Sequence, residues 1–232
     1  MKGKFSVKES CKMISLCVVI GLCLWASAVG SKKRVEVMLP VDQQVIILDA
    51  GHGGWDPGKT GTAGEDEKNI NLAVMQKLQQ YLEQGGATVY ITRSTDEALG
   101  SKKRADMAER KKIANESAGD LLVSIHQNAF PSSGAKGGQV FYHKSSEQGK
   151  QLAELIQERL RTNVDSENKR LAKQNSDYYI LRTTEIPAVI VECGFLSNPS
   201  EEKLLNEEGY QTKLAWAIYL GIVDYFSVNE SV

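Results

Sequence analysis

The chain has 232 residues, of which 41% are hydrophobic and 25% charged, enough for one α/β domain with a full core and too few for two large ones. A formal net charge of -1 excludes the basic face that general nucleic-acid affinity requires, so no nucleic-acid partner is expected. No internal repeat or low-complexity tract is present.

Residues 1–30 read as a secretory signal peptide or an N-terminal membrane anchor. Lys2, Lys4, Lys8 and Lys12 precede an uncharged apolar run from Met13 to Val29. Ala26-Ser27-Ala28 matches a small-residue cleavage pattern, while the run also approaches bilayer-spanning length, so both readings stay open. Lys32, Lys33 and Arg34 on the far side blunt the positive-inside signal. Either reading places the body outside the cytoplasm, secreted or held to the membrane by the uncleaved segment. Cys11, Cys17 and Cys23 lie in or beside this segment, and only Cys193 remains in the body, so no internal disulfide is expected there. Ile20-Gly21-Leu22 before Cys23 is a poor lipoprotein cleavage site.

Residues 31–43, with Pro40, read as a linker, residues 44–227 as the folded domain and 228–232 as a tail. Within the domain, Val45–Leu48, Ala87–Thr92, Leu121–His126, Gln139–Tyr142 and Ala188–Val191 read as strands, the first of them an apolar run buried on both faces. Tyr178–Leu181 is a shorter strand candidate. Between them lie helical patterns. Ile70, Val74, Leu78 and Leu82 recur every fourth residue in Glu67–Gln84, with Asp66 as N-cap and Gly85 as stop. Leu152, Leu155, Ile156 and Leu160 make one face of Ser146–Arg161, and Tyr210, Leu214, Ile218 and Ile222 one face of Glu208–Tyr225. Arg104–Asn115 is a weaker helix. Strands alternating with helices predict a single layered α/β domain whose central mixed, largely parallel sheet is flanked by helices.

In such sheets functional groups gather beyond the carboxyl ends of the strands. His52 follows the first strand, His126 closes the third, and Glu192 closes the last. A rival motif overlaps the first of these. Gly53 through Thr60 satisfies the phosphate-loop spacing of glycine, four residues, then Gly58-Lys59-Thr60. The context opposes it. A phosphate cradle leads straight into a helix N-terminus, whereas Gly61-Thr62-Ala63-Gly64 follows here. Pro57 removes an N–H donor, and Asp56 adds a repelling charge.

Singly, each metal candidate has a plain alternative. His52 could be an idle loop histidine, although its glycine neighbours point to a shaped turn. Glu67 alone is better read as a first-turn acid favouring the helix dipole. His126 could be a hydrogen-bonded core histidine. Glu192, so near a buried strand, needs a partner or a task. Jointly, two histidines and a carboxylate are a known ligand set for catalytic zinc, with one position left for a water whose pKa falls to ~7. A further carboxylate such as Glu192 then suits general acid–base work.

Four ordered blocks carry a family resemblance: Val45 through Gly54, Gly64 through Ala73, Ser117 through Ala129, and Ile190 through Asn198. They resemble the zinc-dependent N-acetylmuramoyl-L-alanine amidases (type 3), over a span from about Val45 to Phe226. The resemblance implies zinc ligands at His52, Glu67 and His126 and the catalytic acid/base at Glu192. It implies hydrolysis of the amide joining N-acetylmuramic acid to L-alanine in peptidoglycan, with residues 44–227 as the catalytic domain. The short, N-terminally anchored form resembles the germination-specific amidases that act on spore cortex. Another zinc peptidase of the wall, or a non-catalytic wall-binding protein, are the alternatives.

The remaining candidates are weaker. Asn128 is a substrate-binding candidate or a turn residue, the two readings being balanced. Arg93 and Arg104 are candidates for stem-peptide carboxylates, with structural ion pairs the stronger reading. Cys193 lacks the histidine base of a nucleophile, and a fourth ligand at His143 would close the water position. The glycine-rich stretch before Glu67 leaves room for an activating protein partner, which the sequence does not predict.

Overall fold

A computed structural model describes residues 38–229 of the chain. The N-terminal segment with Cys11, Cys17 and Cys23, and residues 230–232 of the tail, lie outside the described residues. Among the described residues no helix is long and apolar enough to cross a membrane.

Six strands build one sheet: β1 (Val45–Ala50), β2 (Thr88–Ile91), β3 (Leu121–Asn128), β4 (Gln139–Tyr142), β5 (Lys173–Gln174) and β6 (Ala188–Phe195). Their spatial order is β2-β1-β3-β6-β4-β5. All neighbouring pairs are parallel except β4 against β6, so the expected mixed, largely parallel sheet is the one observed. The central strands are continuous apolar runs because both of their faces are covered; every residue of β6 is buried.

Among the described residues six helices cover the sheet: α1 (Glu67–Gln84), α2 (Lys103–Glu116), α3 (Glu147–Asn163), α4 (Tyr179–Thr183), α5 (Pro199–Leu205) and α6 (Glu208–Asn229). The larger core joins Ile70, Val74, Leu78 and Leu82 of α1 to Leu152 and Ile156 of α3 and Leu214, Ile218 and Ile222 of α6, over Ile46, Leu48, Val123 and Val191 of the sheet. Val41 is fully buried in it. The opposite face is smaller, with Ala114 of α2 and Ile180 and Leu181 of α4 on Ile47, Leu122 and Ile190.

Two local expectations are corrected. Tyr178–Leu181 is not a strand: Tyr178 precedes the short helix α4. Ile180 and Leu181 are adjacent and both buried, which a one-faced strand cannot arrange because its side chains alternate. Asp66 holds the N-cap position of α1 without capping it. Its carboxylate instead accepts from Thr60 Oγ1 at 2.7 Å, closing the preceding loop. Ser146, by contrast, caps α3 by accepting from the Gly149 N–H.

Candidate metal centre

β1 ends at Ala50, and the chain turns through Gly51-His52-Gly53-Gly54 beside the carboxyl ends of β3 and β6. His52 lies at φ 62°, a left-handed conformation rare outside glycine. The turn is held through its carbonyls by two buried arginines. Arg110 donates to Ala50 O at 2.8 Å and to His52 O at 2.5 Å. Arg93 donates to Ala50 O at 2.9 Å, Gly51 O at 3.1 Å and Lys68 O at 2.7 Å. Arg93 is therefore a structural clamp and not a substrate-facing cation. Arg110 is in turn paired with Asp49 at 2.5 Å and Asp106 at 2.7 Å. Burial would push the Asp49 carboxyl up, but Arg110 and the Ser124 and Thr92 hydroxyls overcome it and hold the carboxyl at about 2.

Glu67 opens α1 and is only 4% exposed. Its Oε1 lies 3.0 Å from His126 Nδ1 and 3.3 Å from His52 Nε2. The same oxygen accepts the Gln127 N–H at 3.0 Å and Asn71 Nδ2 at 3.3 Å, while Oε2 accepts the Lys59 N–H at 2.9 Å. Burial opposes its charge, but the two histidines outweigh it and hold the carboxyl well below the ordinary range. For His126 burial likewise disfavours the charge, and the hydrogen bond and charge of Glu67 raise its pKa.

Two glycines make room for this cluster. A Cβ on Gly51 would stand 2.2 Å from His126 Cε1 and Nε2. One on Gly58, at φ 68°, would stand 2.5 Å from Glu67 Oε2 and 2.7 Å from His52 Cδ2. On the far side of its ring, His52 Nδ1 approaches Asp56 Oδ2 at 2.9 Å, out of line for a straight hydrogen bond. Asp56 is itself held by Lys103 at 2.6 Å. Its partly buried carboxyl sits at about 2, as the Lys103 and His52 contacts overcome desolvation.

One ligand atom each from His52, Glu67 and His126 can be chosen so that all lie within 4.8 Å of one another. Two imidazole nitrogens and a carboxylate oxygen at this spacing fit a zinc ion with a coordination position to spare. The expected ligand residues, scattered over 75 positions from His52 to His126 when both ends are counted, thus meet at one place. Glu192 stands opposite His126 in register on the adjoining strand β6. It is 7% exposed, and its Oε2 has no hydrogen-bond partner. Burial pushes its carboxyl up to about 7; the His126 charge opposes this and the Glu67 charge adds to it.

These residues line a cavity of about 680 Å³, shared with Arg104, Asn128 and Tyr178. Asn128 follows a register shift between β3 and β6. Its Oδ1 accepts from the Ala129 N–H at 2.8 Å, so half of its amide serves the local turn.

The other sequence candidates fall away from the chemistry. Thr60 bridges to Asp66, and the helix starts only at Glu67, so Gly53–Thr60 forms no phosphate cradle. That loop is instead anchored by Trp55, whose Nε1 donates to Gly100 O at 2.7 Å. His143 bonds Ser145 at 2.8 Å and lies outside the ligand cluster. Burial raises the Cys193 thiol to about 12, which leaves no useful thiolate at neutral pH. The Gly61–Gly64 stretch is pinned by Glu202, which accepts from Thr62 Oγ1 and from the Ala63 N–H at 2.7 Å. Sequence reasoning missed Arg110, Asp56 and Tyr178. Only Asp56, four residues from His52, lies close enough in the chain to leave a local signal.

Comparison with known proteins adds an independent line. Residues 46–224 match the family described as N-acetylmuramoyl-L-alanine amidase. A germination-specific N-acetylmuramoyl-L-alanine amidase of Bacillus subtilis (strain 168) is 39% identical over 197 residues, 82% of each chain. The CwlD amidase of Clostridioides difficile, solved in complex with the GerS lipoprotein, superposes with a TM-score of 0.78 at 44% identity, covering 80% of this chain and 100% of that one. An N-acetylmuramoyl-L-alanine amidase of Clostridium difficile 630 gives a TM-score of 0.73 at 30% identity, covering 80% and 98%.

Proposed function

This chain belongs to the N-acetylmuramoyl-L-alanine amidase family, and from that premise we propose that His52, Glu67 and His126 hold a zinc ion beside Glu192 as general base and acid. The reaction is hydrolysis of the amide between N-acetylmuramic acid and L-alanine in peptidoglycan. One observation carries the site assignment: three metal-compatible side chains converge in the same cavity as a buried carboxylate oxygen that has no partner.

Bound zinc supplies the positive charge that acidifies a water and polarises the scissile carbonyl. The protein's own groups do the rest. Glu67 stays ionised between its histidines and brings negative charge to the ligand set. Asp56 steadies the His52 ring from behind, and Asn71 and the Gln127 N–H fix the Glu67 carboxylate. Glu192 takes the proton of the attacking water on its free oxygen and delivers it to the departing L-alanine nitrogen. A carboxyl raised toward neutrality is suited to both halves of that transfer. The amide nitrogen of Asn128, whose oxygen is already engaged, donates to a carbonyl of the stem peptide.

The finer assignments rest on the relatives and on the N-terminal sequence. The 39% identity to a germination-specific amidase supports peptidoglycan of the spore cortex as the substrate. The basic, then apolar, first 30 residues support action outside the cytoplasm, as a secreted or membrane-anchored enzyme. Metal analysis of the purified chain, with product analysis of digested peptidoglycan, tests the reading. Zinc near one equivalent and new L-alanine amino termini on intact stem peptides are expected. Cleavage within the stem would replace the amidase assignment by a peptidase. Unaltered cortex chemistry in spores lacking the gene would remove the cortex assignment.

A further inference from the structure

The family reaction needs a carboxylate at Glu192 but does not say which oxygen works or what holds the other. We propose that Tyr178 is a positioning residue for Glu192: its hydroxyl holds Oε1, leaving Oε2 free for the proton. Tyr178 Oη donates to Glu192 Oε1 at 3.5 Å, whereas Glu192 Oε2 is buried without a partner. The first contact is long, as catalytic hydrogen bonds often are before substrate binds. A carboxylate turns easily about its last torsion, and one donor on one oxygen ends the equivalence of the two.

The hydroxyl is well placed because its ring is fixed. Tyr178 packs edge-on against Phe141 with centroids 5.5 Å apart. Phe141 lies on β4 opposite Ile190 of β6, two residues before Glu192, so ring and carboxylate share one sheet frame. The Tyr178 N–H is tied to Asn175 Oδ1 at 3.3 Å, and its carbonyl accepts the Arg182 N–H at 3.1 Å. Turn and helix thus hold the main chain while the strand neighbour holds the ring. Burial and the nearby Glu192 charge keep the phenol protonated, so it acts as a donor.

The inference rests on the amidase reading, and the test keeps the two apart. Tyr178→Phe retains the ring and its packing on Phe141 and removes one oxygen. Wild-type turnover of a muramoyl-L-alanyl peptide by the zinc-loaded full chain tests the amidase reading; the variant's ratio to it tests Tyr178. In Tyr178→Phe, kcat is expected to fall about tenfold, the worth of a modest hydrogen bond to a charged group. KM, zinc affinity and the thermal midpoint stay at wild-type values. An unchanged kcat overturns the proposal. A fall in kcat matched by a change in KM or zinc affinity overturns it too, because it makes Tyr178 a substrate contact or a structural prop.

Discussion

Arg110 Nη2 donates to the carbonyl oxygen of His52 at 2.5 Å, fixing the main chain of a residue held at φ 62°. Such backbone is strained for any residue with a side chain and persists only where the surroundings over-determine it. The same guanidinium neutralises Asp49 and Asp106 in the protein interior. Arg110→Met is therefore expected to lose two separable things. Stranding the two buried carboxylates costs about 3–5 kcal/mol of stability, read by urea titration of the metal-free protein. Releasing the His52 turn weakens zinc binding by about 10–100-fold, read by competition with a chelator. Wild-type zinc affinity in a folded variant would separate Arg110 from the site.

Gly51 makes a sharper test of the same turn. The Cβ introduced by Gly51→Ala would overlap the His126 ring at 2.2 Å, and the ring must leave its place beside Glu67. Gly51 lines the cavity, so the variant is expected to fold with a loss of about 1–3 kcal/mol from overpacking. Zinc affinity is expected to drop by about tenfold or more, and activity with it. A crystal structure of the variant with His126 unmoved would refute this account.

How much of this was legible in sequence follows from how local each signal is. β1, β3 and β6 are apolar runs because both faces of a central parallel strand are covered, and α1 repeats every fourth residue because one face meets the core. Tyr178–Leu181 was illegible, because four apolar residues are too few to distinguish a period of 2 from one of 3.6. The helix α5 went unread, although Asn198 caps it by accepting from the Ser200 and Glu201 N–H groups ahead of Pro199. The proposed ligand residues stood out in sequence as a set and through the ordered family motifs, since each alone had a plainer reading. Arg110 was illegible even so. Its contact with His52 spans 58 residues and targets a carbonyl, which every residue possesses.

Glu192 differs from the three proposed ligands in what its removal should do. It faces the cavity from β6, and its Oε2 has no hydrogen-bond partner. Glu192→Gln preserves shape and leaves His52, Glu67 and His126 in place. Zinc content is expected to stay near wild type while kcat falls by about 10²–10⁴, the usual worth of a general acid–base group. Loss of zinc together with activity would instead make Glu192 part of the metal site.

The same substitution should stabilise the metal-free protein at high pH, and the sign follows from linkage. The Glu192 carboxyl is raised from 4.5 to about 7, first by burial and further by the Glu67 charge, with His126 opposing. Between those values the folded protein keeps a proton that the unfolded chain has released, so stability falls as pH rises through the window. Asp49 runs the other way: lowered from 3.8 to about 2, it adds stability above 3.8 that is lost as pH falls toward 2. Glutamine at position 192 cannot ionise and so removes only the alkaline-side loss. In urea titrations without metal, Glu192→Gln is expected to match wild type near about pH 4 and to exceed it by about 3 kcal/mol at about pH 8. Zinc should narrow the gap, because a nearby cation favours the carboxylate. A constant difference between the two proteins at all pH values would mean that Glu192 is not held in the raised state, and that its buried, unpartnered oxygen carries no energetic cost for the enzyme to use.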